Sequence, residues 1–154
     1  MKVVHEIEIN VRPEIVFDFL VETDNFPIVD RALVSFTPHA RMRPGMTGTF
    51  VHRRAGFTAR TTWEVMEFEP SRRVRVAVRG MGYAMDELAT LDAAGSGTLV
   101  RFVDTVRPTS LPGRLMVALS SGIMRRDLET RAARLKTALE SDASGLTAPG
   151  LRSS

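Results

Sequence analysis

The chain opens with an alternating run over positions 3–9, the pattern of a strand with one buried face. Val3, His5, Ile7 and Ile9 share one face, and Glu6 and Glu8 lie on the other. Apolar residues then recur at helical spacing over 13–21, and Pro13 suits the first turn of a helix because its missing N–H is not needed there. A second short helical segment begins at Asp24-Asn25. The pattern therefore predicts one strand followed by two short helices.

The middle of the chain reads as a series of strands, because short alternating runs are separated by glycine- and proline-containing turns. The predicted strands cover 32–38, 46–54, 57–69, 73–79, 83–92 and 98–107. Turns this tight connect antiparallel neighbours. Together with the first strand they predict a seven-stranded antiparallel sheet.

A long helix is predicted from Pro112-Gly113 to near Ser141, and it carries two apolar stripes. One stripe contains Leu111, Leu115, Leu119 and Ile123, and the other, on nearly the opposite face, contains Leu128, Leu135 and Leu139. A straight helix cannot bury both stripes against one sheet. We therefore expect a kink or break near Ser120-Ser121-Gly122, with the second half on the sheet. The first half would then form a movable wall of a cavity or meet a partner.

These elements predict an α+β fold, in which a curved sheet wraps around a long C-terminal helix and two short helices lie between strands 1 and 2. A sheet of this size twists and bends, so a helix across its concave side can leave a gap for a ligand. We expect one domain over residues 1–140 and a flexible tail over 141–154, which is rich in small and polar residues.

Composition narrows the class of function. The 154 residues contain no cysteine, which excludes disulfides and thiolate chemistry. The net charge is only +3 and the arginines are dispersed, so no nucleic-acid partner is predicted. We expect no signal peptide and no integral membrane segment, and the sequence contains no recognisable nucleotide-binding loop or metal-ligand spacing. We expect a cytoplasmic protein with no cofactor and no metal.

Several segments resemble the START/SRPBCC superfamily, whose helix-grip fold includes polyketide cyclases, lipid-transfer proteins and coenzyme-Q-binding proteins. The matching segments are 7–20, 25–30, the glycine turn at 44–46, the strand end at 65–73, the hairpin at 91–98 and the closing helix at 135–140. These are turn, cap and packing residues, so the resemblance concerns the fold. It implies an apolar cavity and a lipid, polyketide, sterol or isoprenoid-like ligand, without a universal catalytic set.

Strand alternation, helical spacing and the methionines near Gly80–Gly82 predict which residues contact a ligand. The candidates are Phe50, His52, Phe57, Trp63, Val76, Met81, Tyr83, Met85, Phe102, Asp104, Leu115, Leu119 and Ile123.

The polar candidates for orienting a ligand or for acid–base chemistry are His5, His52, Tyr83, Asp104 and either Asp86 or Glu87. Alternation over 83–91 does not decide which of the last two carboxylates faces inward, because a one-residue shift exchanges the faces. A buried Asp104 needs a partner such as His52, Tyr83 or an arginine.

The first hypothesis is that the protein binds a small hydrophobic molecule in an internal cavity, and whether it is an enzyme stays uncertain. One alternative is a cyclase, aromatase or dehydratase of the polyketide type, with catalytic groups drawn from His52, Asp104, Tyr83 and Asp86 or Glu87. A second is a protein-interaction module that uses the first half of the long helix or the arginines at 53–54 and 72–73. A homodimer is left open.

Overall fold

The computed structural model describes residues 1–147. The strands are β1 (Lys2–Ile9), β2 (Leu33–Thr37), β3 (Thr47–Arg54), β4 (Phe57–Glu69), β5 (Arg73–Gly80), β6 (Tyr83–Ala94) and β7 (Gly97–Pro108). The helices are α1 (Pro13–Leu20), α2 (Phe26–Val29), preceded by a 3-10 turn at Thr23–Asn25, and α3 (Leu111–Thr147). The predicted number and order of strands and helices are confirmed.

The seven strands form one antiparallel sheet in the order β1-β7-β6-β5-β4-β3-β2. Strand β1 forms one edge of the sheet and pairs with β7, so that Val3 lies opposite Asp104 and His5 opposite Phe102. The register shifts within β2 and between Val65 and Glu67 in β4. Such irregularities increase local twist and bend a sheet, which allows this one to curve around α3.

The second half of α3 lies against the concave side of the sheet. Leu128, Ala132, Leu135 and Leu139 follow one another at helical spacing, and all are buried. The sheet contributes the inward-facing residues of its central strands, among them Trp63, Val65, Val76, Val78 and Val100. The fold is thus the predicted α+β helix-grip architecture.

The short helix α1 closes one end of this core. Its Val16 and Phe17 are buried, and the Phe17 ring meets the edge of Phe68 on β4 at a centroid distance of 5.3 Å. The chain begins α1 with Pro13, as predicted.

The predicted break in the long helix is wrong. Helix α3 continues through Ser120, Ser121 and Gly122, and the Ser120 hydroxyl donates a hydrogen bond to the carbonyl of Val117 in the preceding turn. The conflict between the two stripes is resolved in another way, since the first stripe is left in solvent. The helix also extends past Ser141 to Thr147, whereas the rest of the predicted tail lies outside the described residues.

Candidate ligand-binding cavity

A cavity of about 200 Å³ lies between the concave side of the sheet and the helices α1, α2 and α3. Most of its wall is apolar. The apolar lining includes Phe19, Phe26, Phe50, Val76, Met85, Phe102, Leu128 and Leu135. Polar and charged groups also reach it from several elements, namely Asn25, Asp30, His52, Thr61, Tyr83, Glu87, Asp104 and Arg131.

Seven of the residues predicted to contact a ligand line this cavity. They are Phe50, His52, Val76, Tyr83, Met85, Phe102 and Asp104. Trp63 is buried in the core, where its ring stacks on Phe50 at 5.6 Å. His5 is half-buried on the edge strand β1.

The other five candidates face solvent. Phe57 and Met81 lie at hairpin ends and are 79% and 93% exposed, and Leu115, Leu119 and Ile123 lie exposed along the first half of α3. Strand alternation predicts which face a side chain takes, but not how far along the strand the core reaches. Because residues 57–60 are exposed on both faces of β4, that end of the strand projects beyond the cavity.

The structure decides the facing of β6. Tyr83, Met85, Glu87 and Ala89 turn toward the cavity. Asp86 takes the outer face, where its carboxylate lies 3.7 Å from the Arg75 guanidinium and 3.5 Å from that of Arg107. Glu87 is therefore the inward carboxylate of the two.

Asp104, Glu87 and Arg131 form a charged cluster inside the cavity. Glu87 and Asp104 are directly opposite each other on β6 and β7. One guanidinium nitrogen of Arg131 donates to Asp104 Oδ2 at 3.2 Å, and the other lies 3.6 Å from Glu87 Oε1. The sequence prediction that Asp104 has a partner is met by this arginine.

Asp104 is 4% exposed, and its surroundings favour the protonated acid. Burial and then the neighbouring Glu87 raise the pKa of Asp104 to about 7, although Arg131 acts in the opposite direction. The pKa of Arg131 lies above its ordinary value, because the charges of Glu87, Asp104 and Asp30 outweigh the effect of its burial. Near neutral pH, one cavity carboxyl can therefore give up or accept a proton beside a permanent cation.

His52 pairs with Asp30 rather than with Asp104. Its Nε2 lies 3.1 Å from Asp30 Oδ2, while Asp30 Oδ1 accepts the backbone N–H of Ala32 at 3.0 Å. Burial raises the pKa of Asp30, but the His52 hydrogen bond and the charge of Arg131 outweigh it, so this pKa lies below its ordinary value. The arrangement fixes the imidazole at the cavity wall with an ionised carboxylate behind it.

Two hydroxyl groups complete the polar wall. The Tyr83 ring packs over Gly80, where an added Cβ would lie 2.5 Å from a ring carbon, and burial followed by the charge of Glu87 raises the pKa of the phenol. The buried Thr61 hydroxyl lines the cavity and has no hydrogen-bond partner within residues 1–147. A buried hydroxyl without a partner is costly, so Thr61 is a natural contact for a polar atom of a ligand.

Sequence reasoning missed Asp30, Thr61 and Arg131. A signal for Arg131 exists, because it follows Leu128 by three residues and precedes Leu135 by four, which places an arginine within the buried stripe. Asp30 follows α2 in a segment without periodicity, and its pairing with His52 depends on how α2 folds onto β3.

Residues 1–140 match the sequence model of a family described as polyketide cyclase / dehydrase and lipid transport. The chain belongs to this family. The resemblance to the SRPBCC superfamily is thereby confirmed. No curated protein matches the sequence significantly.

Solved structures share the fold of this family member at low sequence identity. TTHA0849 from Thermus thermophilus is 20% identical, with a TM-score of 0.76 over 92% of this chain and 99% of that one. The Aha1 dimer from Colwellia psychrerythraea is also 20% identical, with a TM-score of 0.64 over 91% and 96%. DynU16, from the dynemicin biosynthetic locus, is 15% identical, with a TM-score of 0.67 over 92% of this chain and 48% of that one.

Within the described residues, the helices include none with the length and apolar content needed to cross a membrane.

Proposed function

We propose that the protein binds a small hydrophobic molecule in the cavity between the sheet and α3. The observation that carries this proposal is the convergence of a few buried polar groups on an otherwise apolar cavity, which is the usual composition of a small-molecule site. Membership in a family of polyketide cyclases, dehydrases and lipid-transport proteins supports it.

The size of the cavity limits the ligand. A dry cavity of about 150 Å³ is large enough to bind benzene. At about 200 Å³, this one has room for a substituted ring or a short branched chain. Burial of the apolar part would contribute roughly 25 cal/mol per Å² before ordering costs.

The polar groups favour a ligand that carries a carbonyl or hydroxyl oxygen at one end. Asp104 in its protonated form and the Thr61 hydroxyl can both donate hydrogen bonds to such an oxygen. Arg131 is already engaged by two carboxylates, which disfavours a strongly anionic ligand at this point.

Binding can be tested with native mass spectrometry and thermal-shift measurements on a panel of lipids, sterols, isoprenoids and aromatic polyketides. We expect a retained or added ligand and a rise in Tm. The variant Ala132→Leu, which adds atoms to the cavity wall, should remove the Tm shift, whereas Ala133→Leu on the exposed side of the same helix turn should keep it. No ligand in any of these assays, or equal shifts in both variants, would contradict the proposal.

A second candidate is acid–base catalysis on a polyketide, such as a cyclisation or dehydration. The observation that favours it is that Asp104, with a pKa of about 7, shares the cavity with the His52–Asp30 pair. An acid and a base that exchange protons near neutral pH are what such steps require.

Asp104→Asn should then abolish turnover and leave binding nearly intact. Asp86→Asn, on the outer face of neighbouring β6, should leave both unchanged, and turnover by Asp104→Asn would contradict this candidate.

The cytoplasmic location and the homodimer stay predictions, as does the role of a protein-interaction module.

A further inference from the structure

The first half of α3 exposes a row of large apolar side chains. Leu111, Leu115, Leu119 and Ile123 recur every fourth residue, with Met116 beside them, and Leu119 is 73% exposed. In the same half, Gly113 and Val117 face inward and are buried, so the helix is held in place while its outer apolar row faces solvent. An exposed contiguous apolar patch of this kind marks a surface that meets another apolar phase.

Two hairpin ends lie next to this row. The Arg54 guanidinium at the end of β3 pairs with Asp127 of α3, and Ile123 lies one turn before Asp127 on the same flank. In the β5–β6 hairpin, the Gly82 carbonyl accepts the N–H of Thr109 at 2.9 Å. Gly113 of α3 lies so close to this hairpin that a Cβ added to Gly113 would collide with the Gly82 carbonyl. These contacts place the β3–β4 and β5–β6 hairpins beside the helix.

Each hairpin carries one exposed apolar residue at its end, Phe57 in the first and Met81 in the second. We call the seven residues together the docking face. It consists of Phe57, Met81, Leu111, Leu115, Met116, Leu119 and Ile123. Three separate elements thus present large apolar side chains at the same end of the molecule.

The charge around the docking face is positive. No aspartate or glutamate occurs from residue 105 to residue 126, and the first half of α3 carries Arg114, Arg125 and Arg126, all exposed. Arg53 adds an exposed cation at the end of β3. Such an edge repels a second copy of the same surface and attracts an anionic one.

We propose that the docking face binds the surface of an anionic lipid membrane. The apolar side chains would enter the boundary between headgroups and acyl chains, and the arginines at its edge would contact the phosphates. A membrane fits better than a protein groove, because the apolar residues belong to three elements and spread over one end of the molecule. Along the chain, Tyr83 of the cavity lining follows Met81 of the docking face by two residues, and Leu128 follows Ile123 by five. The proposal does not rest on the ligand-binding function.

The test is co-sedimentation with vesicles of phosphatidylcholine, with and without phosphatidylglycerol. Wild-type protein should bind the mixed vesicles and bind pure phosphatidylcholine far more weakly, with added salt reducing binding. Each arginine removed should weaken binding by about fivefold, so Arg125→Gln with Arg126→Gln should cost roughly 25-fold. Leu115→Ser with Leu119→Ser should reduce binding at least as much.

Matched controls lie on α1 and in the loop before β3. Ile15→Ser removes an apolar side chain that is 43% exposed on α1, and Arg43→Gln removes an exposed cation, so neither should change vesicle binding. Circular dichroism and Tm confirm that each variant is folded. Absence of wild-type binding, binding equal on both vesicle types, or binding unaffected by the docking-face variants would overturn the proposal. So would a wild-type dimer in sedimentation velocity that Leu115→Ser with Leu119→Ser converts to a monomer.

Discussion

The two halves of α3 are built from similar residues but occupy opposite environments. Leucines at helical spacing occur in both halves, yet Leu128, Leu135 and Leu139 are buried under the sheet while Leu111, Leu115 and Leu119 face solvent. The two halves differ in what packs against them. The sheet curves beneath the second half, whereas, among residues 1–147, the ends of two hairpins lie beside the first half. Helical periodicity alone therefore reports that a face is apolar, but not that it is covered.

The largest expected effect comes from truncating one leucine in each half. Leu135→Ala removes a side chain that is 2% exposed, and we expect a loss of about 2–5 kcal/mol in the free energy of unfolding. Leu119→Ala removes a side chain in solvent and should change it by less than about 0.5 kcal/mol. Urea denaturation of both variants measures the contrast. Equal losses would mean that the first half is covered in solution.

The next contrast concerns the arginines of the two halves. Arg131→Met leaves Glu87 and Asp104 facing each other without their cation, so stability should fall by somewhat less than the about 3–5 kcal/mol found for fully buried pairs. The loss should shrink in acid, because protonation of Asp104, whose pKa is raised, removes its repulsion with Glu87. Arg125→Met, exposed in the first half, serves as the control and should be nearly neutral. A loss that is independent of pH would argue against the charged cluster.

The sequence was sufficient to predict the features that a local pattern decides, namely the strands and most of their inward faces. It was not sufficient for features that depend on contacts between distant residues. Alternation located the strands and the inward faces of β4, β5 and β7, because buried residues recur there at every second position. Examples are Trp63 with Val65, Val76 with Val78, and Asp104 with Val106. The facing of β6 stayed open since either choice turned one carboxylate inward, and only pairing with β5 and β7 decides it.

The cavity was harder to predict than the sheet. The pairing of His52 with Asp30 joins residues 22 positions apart through the fold of α2, which no spacing rule describes. Phe57 and Met81 were assigned to the cavity because alternation and glycine turns mark them, but their distance from the core depends on where the sheet curves. Phe57 and Met81 do not line the cavity, and both are members of the docking face defined above.

The pH dependence of the free energy of unfolding tests the Asp104–Glu87–Arg131 cluster, which lies against the second half of α3. The pKa of Asp104 in the folded protein is about 7, above its ordinary value of 3.8. Between these two values the folded state keeps a proton that the unfolded state has lost, so the free energy of unfolding falls as pH rises through this window. The steepest slope from one group is about 1.4 kcal/mol per pH unit.

Asp104→Asn should remove that slope, and Asp86→Asn on the outer face of the sheet should keep it. The measurement is the free energy of unfolding of the three proteins by urea between pH 4 and pH 7. Parallel curves for wild type and Asp104→Asn would mean that Asp104 titrates in the folded protein much as it does in the unfolded one.

The smallest expected effect tests the continuity of α3 at the point where a break was predicted. Gly122 lies within the helix, and in the described part of the chain an added Cβ would meet no atom within 4 Å apart from its own helix backbone. Replacing a glycine in an exposed helix interior by alanine stabilises a protein by about 1 kcal/mol, because alanine loses less backbone entropy on folding. Gly122→Ala should therefore raise the free energy of unfolding by about that amount. Gly113→Ala, at the buried contact with Gly82, should lower it instead, since the new methyl group collides with a backbone carbonyl. If Gly122→Ala were neutral or destabilising, the helix would be interrupted at Gly122 in solution, and the first half of α3 would move independently of the second.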